Sequence, residues 1–166
     1  GQAGAPTGYV TLIDSVVDTR VGQSDAGAGG NLQIAGGNVL LSGVQLAASS
    51  GSIDIRGSSA DWQSGVVITD GRGPSAISTT SGSITVQGVA RRQASSGFAG
   101  AHGVLVNGGS TITSGSGDIV LRGYNFNTDS SPDDSGVRLE NGARIATTGG
   151  GDIEITGSSQ NGGAGV

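Results

Sequence analysis

Gly117-Asp118-Ile119-Val120-Leu121-Arg122-Gly123 decides the fold, because the chain returns to it. It recurs as Gly51-Ser52-Ile53-Asp54-Ile55-Arg56-Gly57, as Gly82-Ser83-Ile84-Thr85-Val86-Gln87-Gly88 and as Gly151-Asp152-Ile153-Glu154-Ile155-Thr156-Gly157. Looser copies open at Gly30 (Gly-Asn-Leu-Gln-Ile-Ala-Gly) and at Gly8 (Gly-Tyr-Val-Thr-Leu-Ile). Apolar residues at every second position, held between turn glycines, describe a short strand with one buried face. The opening glycines at 8, 30, 51, 82, 117 and 151 are separated by 22, 21, 31, 35 and 34 residues. The short intervals define a unit of 21 or 22 residues, and the long ones are that unit with 10, 14 or 13 residues inserted. A constant unit with variable insertions at one place describes a solenoid.

Two further strand signals lie in each unit. One is Gly65-Val66-Val67-Ile68, Gly103-Val104-Leu105-Val106 and Gly136-Val137-Arg138-Leu139. It runs into turns at Asp70-Gly71, Asn107-Gly108 and Asn141-Gly142, residue types that enter the left-handed region. The other is a very short apolar step at Leu46, Ile77, Ile112 and Ile145, each followed by Ala, Ser or Thr residues and then Gly. Three strands per unit give an all-β coil of roughly triangular section. The insertions run over Ser58–Ser64, Val89–His102, Tyr124–Ser135 and onward from Ser158. All follow the closing glycine of the third strand, so the loops should emerge along one edge, left barer in the N-terminal third. Residues 1–166 read as a single β-helix segment of about six coils.

Alternation turns Ile53/Ile55, Ile84/Val86, Ile119/Leu121 and Ile153/Ile155 inward. Equivalent strands then pair in parallel about 4.8 Å apart, stacking like on like. One buried aliphatic contributes on the order of 1.5–3 kcal/mol, and only a neighbouring coil can bury it. The outward columns, Thr11, Gln33, Asp54, Thr85, Val120, Glu154 and Ile13, Ala35, Arg56, Gln87, Arg122, Thr156, place no like charges in adjacent coils. An antiparallel sandwich would not repeat with a constant insertion site. High glycine content and regular turns argue against an amyloid-like stack.

Composition removes several classes of function. Glycine supplies 34 of 166 residues without a three-residue period and with only 3 prolines, which excludes collagen. No cysteine is present, so there is neither a disulfide framework nor a thiolate metal site. All 8 basic residues are arginine and the net charge is −5, which argues against a nucleic-acid partner. No apolar run approaches the roughly 18 residues of a membrane span, so no membrane insertion is expected. Without a signal peptide or any methionine, the chain reads as processed or as a piece of something longer.

Candidate chemistry is sparse, and no catalytic, cofactor-binding or metal residues are assigned. His102, the single histidine, has no partners at the spacing of a triad or zinc site and reads as a solvated loop residue. Asn125, Asn127, Asp129, Asp133 and Asp134 cluster in one insertion. They lack both the EF-hand spacing and the nonapeptide of calcium β-rolls, so a solvated loop is expected there too. The outward acids Asp54 and Glu154 lie three coils apart, about 14 Å. That exceeds the roughly 5–9.5 Å of a glycosidase pair. Asp118 and Asp152 follow turn glycines and read as turn residues. A regular rank of Thr, as an ice-binding face needs, is missing beyond Thr111-Ile112-Thr113. The aromatics Trp62, Phe98, Tyr124 and Phe126 all fall in the insertions, marking the loop edge as a contact surface for sugars or neighbouring molecules if they do not fold back as loop anchors.

The segments GGNVLLSGVQLAASSGSIDIRG (36–57) and GVRLENGARIATTGGGDIEITG (136–157) resemble the repeats of filamentous-haemagglutinin-like exoproteins. These are large bacterial adhesins, many exported by two-partner secretion. The resemblance implies a right-handed parallel β-helix serving as the shaft of an extracellular, cell-surface adhesin or matrix filament of the biofilm kind. It covers 8–166, and the long insertions depart from the simplest family pattern. Surface glycans are the partners it suggests. Gly163-Ala164-Gly165-Val166 reads as the start of a further strand. Unpaired rungs template further pairing, so self-association by end-to-end stacking or continuation in a longer chain is expected. The alternative is a carbohydrate-active β-helix enzyme of the polysaccharide lyase or hydrolase kind.

Overall fold

The computed structural model describes residues 8–19, 29–60, 64–91, 100–127, 133–160 and 164–166. The first coil holds β1 (Tyr9–Ile13), β2 (Val16–Asp18) and β3 (Leu32–Gly36), and the second β4 (Asn38–Ser42), β5 (Gln45–Ala48) and β6 (Ile53–Ser59). The third holds β7 (Val66–Thr69), β8 (Ala76–Thr79) and β9 (Ile84–Ala90). The fourth holds β10 (His102–Val106), β11 (Thr111–Ser114) and β12 (Ile119–Asn125), and the fifth β13 (Ser135–Leu139), β14 (Arg144–Thr147) and β15 (Ile153–Ser159). Among the described residues every third strand joins the same sheet, giving three five-stranded sheets in the orders β1-β4-β7-β10-β13, β2-β5-β8-β11-β14 and β3-β6-β9-β12-β15. All pairings are parallel. The fold is a parallel β-solenoid with three strands per coil.

Register follows the sequence repeat residue by residue. Ile53 pairs with Ile84, Ile84 with Ile119 and Ile119 with Ile153. The second sheet stacks Leu46, Ile77, Ile112 and Ile145 in the same way. The core is a column of aliphatics without a buried aromatic among the described residues. Its dependence on neighbours can be read from one row: Ile119 is fully buried, whereas Ile153, with no described rung stacked beyond it, is 43% exposed. A coil acquires its hydrophobic stabilisation only when the next one covers it.

Glycine keeps two corners tight. Between the second and third sheets, a Cβ on Gly82 or Gly117 would run into the carbonyl of the equivalent glycine one coil earlier, Gly51 or Gly82. Between the third and first sheets, the closing glycines Gly57, Gly88 and Gly123 lie against the carbonyls of Gly65, Gly103 and Gly136. There the backbones of two sheets touch with no side chain between them. Hydroxyls line the remaining turn space. The Ser75 hydroxyl donates to the Thr69 carbonyl (2.5 Å) and accepts from the Val44 amide (3.1 Å). Thr79 Oγ1 donates to the Gly82 carbonyl at 2.5 Å.

Several expectations need correction. The segment opening at Gly8 is not a copy of the third strand: Tyr9–Ile13 pairs with Asn38–Ser42 and so belongs to the first sheet. Thr11 and Ile13 therefore leave the outward columns, which otherwise align as expected from Gln33 to Glu154 and from Ala35 to Thr156. Each sheet accordingly has five strands, where counting Gly8 suggested six. From the second coil on, the closing glycine does not end the third strand either. Pairing continues through Ser58↔Val89 and Ser59↔Ala90, and through Tyr124↔Ser158 and Asn125↔Ser159. Of the three expected left-handed turns, Asn141-Gly142 has positive φ at both residues and Asn107-Gly108 only at Gly108, while Asp70-Gly71 has it at neither. Ala164 does start a further rung, bridging Ser135 in parallel.

Substitution at the two-sheet glycine contact should be far costlier than at an open glycine. Gly123→Ala, whose methyl would meet the Gly136 backbone, is expected to lower the unfolding free energy by roughly 3 kcal/mol or more. Gly73→Ala, with nothing within 4 Å, should change it by less than about 1 kcal/mol. Denaturant unfolding of the pair checks this, and equal losses would remove the close-contact explanation.

Candidate functional site

The corner between the third and first sheets carries the long insertions. The strands on either side extend into it: β6, β9, β12 and β15 run two residues past their closing glycine, and β10 and β13 begin with His102 and Ser135. Strand parity explains what those extra residues do. Asn125 shares the inward face of Ile119, Leu121 and Gly123, and His102 shares that of Val104 and Val106.

The polar residues expected in solvated loops are instead buried here. Asn125, Asn127 and Asp134 are 1%, 2% and 2% exposed. Asp134 Oδ1 accepts from the amides of Gly100 (3.3 Å) and Ala101 (3.0 Å), while its Oδ2 accepts from Asn127 Nδ2 (2.8 Å). Asn125 Nδ2 donates to the Ala101 carbonyl (2.6 Å), and Asn125 Oδ1 accepts the Asn127 amide (2.9 Å). The fifth coil's insertion is thereby tied to the end of the fourth coil's insertion by charge-assisted bonds. One coil earlier, Asn38 Nδ2 donates to the Ser64 carbonyl (2.5 Å), and Ser64 Oγ accepts the His102 amide (3.0 Å). Asp129 lies outside the described residues. Among the described residues no group of three or more His, Cys, Asp and Glu is placed to hold a metal ion.

His102 is a strand residue, 4% exposed, not a solvated one. Burial lowers its pKa from the ordinary 6.5, and the Arg138 guanidinium adds to the effect. Asp134, Glu140 and Asp133 oppose it. Nδ1 has no hydrogen-bond partner in its buried position. A neutral imidazole fits this site and an imidazolium does not.

The outward acids are engaged with the scaffold. Asp54 pairs with Arg56 on its own strand at 2.8 Å, and Glu154 pairs with Arg122 of the preceding coil at 3.1 Å. Asp118 Oδ1 accepts the Asp152 amide at 2.9 Å, joining the two turn acids across a coil boundary.

Of the four aromatics expected along the loop edge, Trp62 and Phe98 lie outside the described residues. Tyr124 and Phe126 are brought together, but Tyr124 stands in β12 rather than in the insertion. Their rings are 6.3 Å apart and within 9° of parallel. Arg91, from the end of the preceding coil, holds its guanidinium 5.4 Å from the Phe126 ring centre. Phe126 is 42% exposed. In the same column, Val89 pairs with Tyr124 and Ser58 with Val89. Ser58 and Val89 line a surface groove of about 250 Å³ together with Arg56 and Gln87. Sequence reasoning missed this groove, which exists only where registered strands bring residues about 30 positions apart into one column.

Asp134→Ala should cost about 2–3 kcal/mol in unfolding free energy, since it leaves two buried amides and the Asn127 side chain short of an acceptor. The buried histidine adds a pH dependence. Its folded pKa lies below the unfolded value near 6.5, so the unfolded chain binds the proton more readily. The stabilisation is full above about 6.5 and is lost as the pH falls through the folded pKa. Chemical unfolding at stepped pH should show this loss in the native chain and a flatter profile in His102→Gln. Superimposable profiles would show that folding does not shift the His102 pKa.

No protein-family model, curated protein or solved structure matches this chain.

Proposed function

We propose that the chain is a stretch of structural shaft from an extracellular bacterial adhesin or matrix filament of the filamentous-haemagglutinin-like kind. Its mechanism is mechanical and presentational. Backbone ladders and aliphatic columns hold an extended rod, and the corner between the third and first sheets presents contact surfaces to surface glycans or neighbouring molecules. The observation that carries this reading is the unbroken register of all three sheets across five coils, with every long loop after the first coil displaced to one corner. The pairing of the outward acids Asp54 and Glu154 with arginines supports a non-enzymatic role, because each is held as an ion-pair partner. Among the described residues β1–β3, β14 and β15 each pair with one strand only, and such edges suit further coils or end-to-end stacking of copies.

A modular shaft tolerates loss of a module. Deleting residues 83–117, one repeat from opening glycine to opening glycine, should leave a folded solenoid shorter by about 4.8 Å. Far-UV circular dichroism and small-angle scattering read the result, and an unfolded product would overturn the modular reading. In parallel, a polysaccharide panel assayed for reducing ends and unsaturated products should stay blank. Turnover abolished by Glu154→Gln or Asp54→Asn would replace the shaft with a carbohydrate-active enzyme.

A further inference from the structure

The outer face of the third sheet combines three features that no purely structural rod requires. The first is a mostly apolar groove lined by Gly57, Ser58 and Val89 together with Arg56 and Gln87. The second is the pair of parallel rings at Tyr124 and Phe126, beginning one coil further along the Val89 column. The third is Arg91, an exposed guanidinium on the Phe126 ring with no carboxylate in ion-pair range among the described residues. Against a net charge of −5, Arg91 sets a positive charge on an aromatic platform beside the groove.

We propose that this strip binds an extended acidic polysaccharide lying along the solenoid axis. The proposal rests on the reading of the loop corner as a contact surface and names its ligand class. A pyranose ring presents a flat C–H face suited to an exposed aromatic ring such as Phe126, and its hydroxyls are acceptors for Gln87 and Arg56. A carboxylate at the platform meets Arg91 in the planar, two-pronged geometry that guanidinium favours. Register adds a polymer's requirement: Arg56, Gln87 and Arg122 occupy one column at successive coils, about 4.8 Å apart. Donors therefore repeat along the direction in which a chain-like ligand would run. The Arg56–Asp54 and Arg122–Glu154 pairs are exposed, and such pairs are weak enough to leave their remaining N–H groups for a ligand.

The test uses the whole chain in affinity electrophoresis and calorimetry with oligogalacturonate as the acidic probe and cello-oligosaccharide as the neutral one. Oligogalacturonate should bind and weaken with added salt, while the neutral probe binds at least tenfold less tightly. Arg91→Gln and, separately, Phe126→Ala should each weaken the acidic probe roughly tenfold or more. Arg144→Gln, on the second sheet, serves as the charge control and should leave it unchanged. Unchanged circular dichroism of each variant keeps folding out of the comparison. No binding of oligogalacturonate, equal binding of both probes, or loss on Arg144→Gln equal to that on Arg91→Gln would each overturn the proposal. The coil-deletion experiment is independent of these outcomes, so the shaft reading survives or falls separately.

Discussion

The contact between backbone and backbone at Gly57/Gly65, Gly88/Gly103 and Gly123/Gly136 is the constraint on which the remaining structure rests. A strand of the third sheet passes so close to a strand of the first that no Cβ fits between them. This closeness sets the angle at which the coil closes, and the angle fixes which residues beyond the glycine point inward. Ser59, Ala90 and Asn125 are inward for that reason, and they are small or capable of hydrogen bonding. The aliphatic columns supply most of the stabilisation, yet they could stack in a looser tube. Glycine at these positions makes the tube triangular and its corner sharp.

From that corner the polar chemistry follows. A sharp bend leaves amides at Gly100 and Ala101 without strand partners, and burying them unpaired would cost about 1–3 kcal/mol each. Asp134 from the next coil supplies the acceptor, and Asn125 and Asn127 complete the set. The tie acts between coils, so an insertion is anchored by its neighbour as well as by its own ends. His102 fits the same logic as a neutral, packed ring whose amide bonds to Ser64 in the coil before.

Much of the fold was legible because aliphatic alternation and glycine spacing are direct physical requirements of stacked strands. Ile84, Ile119 and Ile153 pair as the repeat demands. The misplacement of Tyr9–Ile13 has a plain cause: alternating apolar residues after a glycine suit any of the three sheets, and only the partner strand distinguishes them. The buried corner was harder to foresee, since Asn, Asp and Ser have the same composition in a solvated loop and in a satisfied interior. A signal was nevertheless present. His102 lies two residues before inward Val104, and Asn125 two after inward Gly123, so parity alone places both inside. The groove and its aromatic platform carried no such local signal.

The direction of the hydrogen bonds has a consequence for load. In this architecture the inter-strand bonds of all three sheets run along the long axis, from one coil to the next. A pull applied to the two ends of the chain therefore meets them one coil at a time, as in opening a zipper, and never all together as in shearing two strands past each other. The expected yield is stepwise peeling at low force, with each released coil of 21 to 35 residues feeding out roughly 7–12 nm of extended chain. Side-chain links that cross coil boundaries resist such peeling, among them Arg72 to Asp14, Asn38 to Ser64, Asp134 to Ala101 and Arg122 to Glu154. Such links occur along the whole described rod, so peeling should start at whichever end is pulled free and not at one weak coil.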